Sequence, residues 1–299
     1  MQLGYELLKG YKRHLFDHGK RAATINCYES DAKSFIDFLF KSRSDGSLEG
    51  LEDLAAFQDQ LEVHQSESQN SIRRKIIGVK SFLRFAIPRA TGMASGFDDY
   101  PIPARIDGLP DGLDPEDLDS LLNAAHKQTP ALKGYRDLAI LTLLSLEGLK
   151  VTEIIHLKTS DLVLSPSSGT LMIRGTKSRV ITLCQETSSS LSEYRSFGKP
   201  LTGANTSLFV GFKGRSAGLT SEGITRHGIK FLLYELGDQC GINRLNSELL
   251  RHFAIDYQLK VLGKSTEDVM AHLGLRQSGN IGRHSLLVSE ESQRIDSDE

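Results

Sequence analysis

Between residues 3 and 86 apolar side chains recur at spacings of three and four, and this periodicity limits the fold more than any other property of the chain. Leu3, Leu7, Leu8, Tyr11 and Leu15 lie on one helical face until Gly19 interrupts it. Ile25, Tyr28, Ala32, Phe35, Ile36 and Leu39 form a second face from about Thr24 onward. After a loop at residues 44–50, Leu51 to Val63 predicts a third helix. Ser71 to Ala86 predicts a fourth, with Ile72, Ile76, Val79, Phe82 and Leu83 inward. Four helices in residues 1–90 can bury their faces only against one another, so a small all-α domain is expected.

The pattern then stops. Residues 91–113 hold Pro101, Pro103 and Pro110 with several glycines and little periodicity, as an interdomain linker does, and Pro88 stands at its edge. Asp114 reads as an N-cap, with Pro115 in the first helical position and Glu116 and Asp117 in the electropositive first turn. Residues 114–288 are expected to form a second, mainly helical domain. Tyr135–Leu146 is strongly apolar and stops at Gly148, and helical spacing resumes over Val151–Leu157. Residues 170–183 change to β-branched runs around Gly175-Thr176-Lys177, which predicts a hairpin. Residues 220–239, 247–262 and 265–273 return to helix, and the polar residues 289–299 form a fraying tail. The fold class is therefore mainly α with a small β-hairpin or sheet.

Composition narrows the function less. The chain has 299 residues, 39% hydrophobic and 25% charged, with a formal net charge of −2, so any surface for nucleic acid must come from local clustering of basic groups. The N-terminal residues do not read as a signal peptide, the sequence given holds no long uninterrupted apolar run, and no membrane partner is expected. Cys27, Cys184 and Cys240 lie far apart without metal-ligand spacing and read as reduced thiols of a cytoplasmic protein with no metal and no cofactor.

Three stretches carry the most chemistry: LEGLKVTEIIHLKTSDL (146–162), IRGTKSRVITL (173–183) and ELLRHFAIDYQLKVLGKSTEDVMAHLGL (248–275). In order and spacing they resemble the Gly-Leu-Arg box, the lysine hairpin and the His-x-Leu-Arg-His … Leu-Gly-His block of the tyrosine recombinase, or phage integrase, family (Xer-like). The N-terminal helices are similar to that family's SAM-like core-binding domain, notably in ATINCYESDAKSFIDFL and NSIRRKIIGVKSFLRFA. The resemblance implies a two-domain DNA clamp and a tyrosine that attacks a phosphodiester, assisted by arginines, histidines and a lysine.

Carried over residue by residue, the likeness is incomplete. Lys150 replaces the first arginine, keeping charge without the planar fork that binds two phosphate oxygens. Glu153 matches an acidic position that orients the first basic residue, and it reads equally as a helix-surface glutamate. Lys177 occupies the general-acid position, flanked by Arg174 and Arg179, and Arg251 and His252 are retained. Arg251 and Lys177 are expected at the DNA face rather than in the core. Glu248 stands where a histidine belongs and opposes a phosphate electrostatically. Leu275 stands where histidine or tryptophan donates a hydrogen bond.

Gly282 occupies the nucleophile position, and no tyrosine follows Tyr257 in the sequence. A DNA-binding member that does not cleave alone is expected. The alternative is a subunit of an active complex whose partner supplies the nucleophile. Double-stranded DNA is the expected partner, together with an intact recombinase or a second copy of the chain. Further DNA contacts are expected from Arg73, Arg74, Lys75, Lys80 and Arg84 on one helix and from Lys20 and Arg21 at the start of another. A solvated helix face would read the same way.

Overall fold

Helix α1 (Glu6–Asp17) turns Leu8, Tyr11 and Leu15 inward and ends two residues before Gly19, whose φ of +69° starts the connection to α2 (Ala22–Ser42). Helices α3 (Leu51–Val63) and α4 (Gln69–Thr91) complete the bundle. This computed structural model describes residues 5–43, 46–48, 50–63, 68–92, 96–104, 112–165, 168–198, 207–213 and 218–275, with backbone alone at 213 and 218–222. The chain divides into two compact units, Met1–Gly108 and Leu109–Glu299.

In the first unit Tyr11, Phe35, Leu54, Ile76 and Phe82 are fully buried, as the spacing of apolar residues requires. The Ser68 side chain caps α4 by accepting from the Ser71 N–H at 3.2 Å. Helix α4 runs one turn beyond the expected end, through Pro88 to Gly92 in the left-handed region. Arg89 stacks over the Phe85 ring at 3.9 Å and donates to the Phe85 carbonyl, so side-chain contacts support the turn that proline weakens.

The expected linker is also corrected in part. Phe97 is buried in the first core, and the Tyr100 hydroxyl donates to Gln58 Oε1 at 3.1 Å. Lys80 Nζ donates to the Asp98 and Tyr100 carbonyls, and Arg73 to the Pro103 carbonyl. This irregular segment thus docks through its backbone acceptors, which leave no periodic trace in the sequence.

The second unit opens with α5 (Pro115–His126) and α6 (Ala131–Ser145). Ile140, Leu141, Leu143 and Leu144 are all fully buried, so α6 is enclosed on every side, consistent with its continuous apolar run. A four-residue helix α7 (Val151–Ile154) and a tight turn lead into an antiparallel sheet of β1 (Leu162–Leu164), β2 (Gly169–Ile173) and β3 (Arg179–Leu183), ordered β1-β2-β3. Leu171 faces Ile181 across the hairpin and both are buried, while Met172 and Val180 point outward. Helix α8 (Gln185–Gly198) then packs in the same core.

Three expected helices of the second unit have different limits. Residues 218–223 form strand β5 (Gly218–Gly223), paired with β4 (Val210–Lys213), and α9 (Arg226–Cys240) begins only after Thr225 caps it by accepting from the Gly228 N–H. Helix α10 (Ser247–Asp256), capped by the Asn246 side chain, gives way to a widened π-helical turn at Tyr257–Val261. There the fully buried Gln258 donates to the Leu146 carbonyl at 3.0 Å. Helix α11 (Thr266–Leu273) ends at Gly274, and a small cluster of Ile255, Val269 and Leu273 fixes it to α10. The helix expected over 151–157 closes after Ile154.

Candidate nucleic-acid interface

The site is built on the link between α6 and α7. Gly148 has φ +64°, and a Cβ there would lie 2.6 Å from Leu273 Cδ2 and 3.0 Å from Ala254 Cβ. Only glycine allows the chain to turn here while α10 and α11 close over it. Lys150 follows as the N-cap of α7, and its backbone N–H donates to Glu153 Oε2 at 2.9 Å. Glu153 Oε1 accepts from Arg179 at 2.8 Å. Burial alone would raise the Glu153 pKa, but the hydrogen bonds from Arg179 and the Lys150 backbone outweigh it and hold the carboxyl below its ordinary range. Glu153 is thus held by Arg179 and the Lys150 backbone rather than standing free on the helix surface.

Three cations converge on the C-terminal turn of α11. Arg179 Nε donates to the His272 carbonyl at 2.6 Å, Arg251 to the Leu273 carbonyl at 3.1 Å, and Lys177 Nζ to the Gly274 carbonyl at 2.6 Å. Arg251 also donates to the Gly148 carbonyl. The last carbonyls of a helix carry partial negative charge and lack helical partners, so positive side chains are favourable there. Arg251 is only 8% exposed, which corrects the expectation that it lies outside the core. Burial lowers its pKa, as does Arg179, against the opposing pull of Glu153 and Glu248. Burial, followed by the nearby positive charge of Arg251, also lowers the pKa of Lys150.

Beside this cluster is a cavity of about 680 Å³, lined among others by Lys150, Arg226, Lys230, Tyr234, Glu248 and Arg251. Glu248 lies in the first turn of α10, where a carboxylate is favoured by the free N–H groups of the helix. Leu275 borders the cavity and packs on the small α10–α11 cluster, filling space without a donor. Arg226, Lys230 and Tyr234 were missed in the sequence, although spacings of four on a helix signalled a shared face.

Other expected contacts separate from this group. Arg174 is exposed and paired with Asp161 at 2.6 Å. In the first unit Lys20 and Arg21 are exposed and Lys75 is partly buried. Arg74 pairs with the buried Asp31, and Arg84 with Asp98. Lys80 is only 4% exposed, which corrects its assignment as a DNA contact: its ammonium is held between two carbonyls inside the unit. His252 is partly buried on α10. Gly282 and residues 289–299 lie outside the described residues. Among the described residues no group of three His, Cys, Asp or Glu side chains is arranged to hold a metal, and no helix is long and apolar enough to cross a membrane.

A four-helix unit followed by an α+β unit with basic groups gathered at a Leu-Gly turn is the arrangement expected from the three motif stretches. Residues 112–277 match the phage integrase family and residues 8–90 its N-terminal SAM-like domain; the chain belongs to this family of tyrosine recombinases. Tyrosine recombinase XerC of Staphylococcus saprophyticus is 24% identical over 91% of this chain and 89% of its own length. Tyrosine recombinase XerD of Listeria monocytogenes is 26% identical over 80% of this chain and 79% of its own. Among solved structures, XerH site-specific recombinase bound to difH substrate aligns with a TM-score of 0.66 at 17% identity, covering 97% of this chain and 84% of that one. A lambda integrase dimer bound to a COC′ core site gives 0.67 at 15% identity, covering 95% and 77%. At such identities the structural matches establish the fold.

Proposed function

We propose that this protein binds duplex DNA in site-specific recombination or its regulation, and does not cleave DNA alone. The observation that carries this is the gathering of Lys177, Arg179 and Arg251 around the end of α11, beside a cavity lined also by Lys150, Arg226 and Lys230. A phosphate entering there meets several donors, some charged and at least partly desolvated, and phosphate contacts supply most of the affinity of such proteins for DNA. The names of the relatives, tyrosine recombinases, support the same substrate class.

Several features argue against independent cleavage. The nucleophile position reads glycine, at Gly282. Tyr257 is partly buried against the second core, where burial raises its pKa. Glu248 brings negative charge to the cavity that would hold the phosphate. Retention of the basic cluster without a tyrosine after position 257 also favours a second reading, a subunit whose partner supplies the nucleophile.

A gel-shift titration on duplex fragments across a salt series tests DNA binding. Affinity is expected to fall steeply and log-linearly with salt as counterions are released. Absence of binding at low salt overturns the proposal. Adding an intact tyrosine recombinase to a nicked substrate separates the two readings: strand exchange that depends on both proteins favours the subunit.

A further inference from the structure

Glu147 directly precedes the turn at Gly148, and its side chain is only 2% exposed. Its Oε1 accepts the Cys184 N–H at 2.8 Å, just beyond the end of β3. Its Oε2 lies 3.0 Å from His272 Nε2, itself on a side chain 8% exposed. His272 is the penultimate residue of α11, and its own carbonyl receives Arg179. One carboxylate thus joins three segments around the basic cluster: the Gly148–Lys150 turn, the β2–β3 hairpin and the end of α11.

The contact is an ion pair when the imidazole is protonated. Nε2 makes no well-aligned hydrogen bond, although it is at ion-pair distance from the carboxylate. A buried carboxylate is costly without an opposite charge, and an imidazolium in the last turn of α11 is favoured by that helix end as well. Burial would push the Glu147 carboxyl up, yet His272 and the Cys184 N–H together hold it below its ordinary range. Among the described residues, the other groups near the pair include the Cys184 thiol, the Tyr257 hydroxyl, Arg179 and Arg251. The thiol and the phenol are both raised by burial, so neither adds negative charge beside the carboxylate near neutral pH.

We infer that Glu147 and His272 are positioning residues of the DNA-phosphate site: their ion pair holds the C-terminal turn of α11 against the hairpin and the Gly148 turn, and so sets Lys177, Arg179 and Arg251 in place. The inference rests on the DNA-binding reading. Neither residue needs to touch DNA.

Fluorescence anisotropy with a labelled duplex, at fixed ionic strength from about pH 5.5 to 8.5, tests it on the full chain as wild type, His272→Gln and Glu147→Gln. Both variants should bind on the order of ten-fold more weakly at the acid end. The ratio of variant to wild-type Kd for His272→Gln should approach one as pH rises, as a contact made by a cationic imidazole requires. Other histidines contribute equally to both proteins and cancel in that ratio. A ratio of one throughout, or a constant ratio with only a lowered Tm, overturns the inference. Should a variant not fold, amide exchange at residues 271–275 of the unmodified chain, corrected for intrinsic rates, decides: opening must become easier as pH rises, and constant protection overturns the clamp. A wild type that binds no DNA at any pH overturns both the DNA reading and the positioning role, and the exchange measurement then still reports whether the pair holds α11.

Discussion

Arg251 and Lys177 look interchangeable in the sequence as carried-over basic residues, but their surroundings separate them. Arg251 is buried and satisfies the carbonyls of Gly148 and Leu273. Arg251→Ala leaves both acceptors without that partner, at about 1–3 kcal/mol each, and thermal melting should show a loss of several degrees. Lys177 is partly exposed and, among the described residues, its ammonium donates to the Gly274 carbonyl alone. Lys177→Ala should change stability by less than about 1 kcal/mol while lowering DNA affinity and reducing the salt slope by about one. Unchanged affinity in Lys177→Ala, measured by anisotropy at low salt, would remove the hairpin from the DNA site. The thiols divide in a similar way. Cys27 is exposed, whereas burial and the adjacent Glu147 push the Cys184 thiol up to about 12. Iodoacetamide at pH 8 should label Cys27 promptly and Cys184 only after unfolding, as read by peptide mass spectrometry.

At the scale of elements, the geometry of the site depends on how closely α10 and α11 approach the α6–α7 turn. Gly148→Ala places a methyl against Leu273 and Ala254 in a backbone conformation unfavourable to side chains. It should cost about 2–4 kcal/mol and weaken DNA binding together with stability, because the Gly148 carbonyl holds Arg251. A stable variant in urea denaturation would show that this turn can relax. The carboxylates that tie these elements also set the acid limit of the fold. Glu147, Glu153 and Asp161 all have pKa values lowered by the groups that pair with them, despite burial. Groups with depressed folded-state values contribute stability that is fully present above their unfolded values, about 3.9 for Asp and 4.3 for Glu, and lost as pH falls through the folded ones. Stability measured by denaturant titration should therefore decline below about pH 4.5, and Glu153→Gln should flatten part of that decline.

For the whole molecule the decisive measurement is covalent chemistry. A suicide substrate nicked near the scissile phosphate should give no denaturation-resistant adduct, since the step needs an activated nucleophile in line with phosphorus. Gly282→Tyr alone should not restore cleavage, because Glu248 still opposes the developing charge and Leu275 still lacks a donor, each a loss on the order of a few kcal/mol. The combination of Gly282→Tyr, Glu248→His, Leu275→His and Lys150→Arg is the variant expected to regain activity. An adduct formed by the unmodified chain and mapped to Tyr234, the tyrosine lining the cavity, would overturn the non-cleaving reading.

Periodicity alone determined the four N-terminal helices, the enclosed helix α6 and the β2–β3 hairpin, because burial of an apolar face repeats along an element and is written locally. The three motif stretches likewise identified the family and pointed to Lys150, Lys177 and Arg251, which the structure brings close together. The sequence did not show that Lys80 is consumed inside its own unit, that residues 97–103 dock there, or that β5 replaces the start of a helix. These outcomes depend on which backbone acceptors reach which side chains across long sequence separations. The same holds for Glu147 and His272, which are 125 positions apart and meet only because the α6–α7 turn and α11 enclose one buried space. A charge in a sequence is only a charge; tertiary structure decided which ones face solvent and which hold the site together, since burial sets the cost of leaving each unpaired.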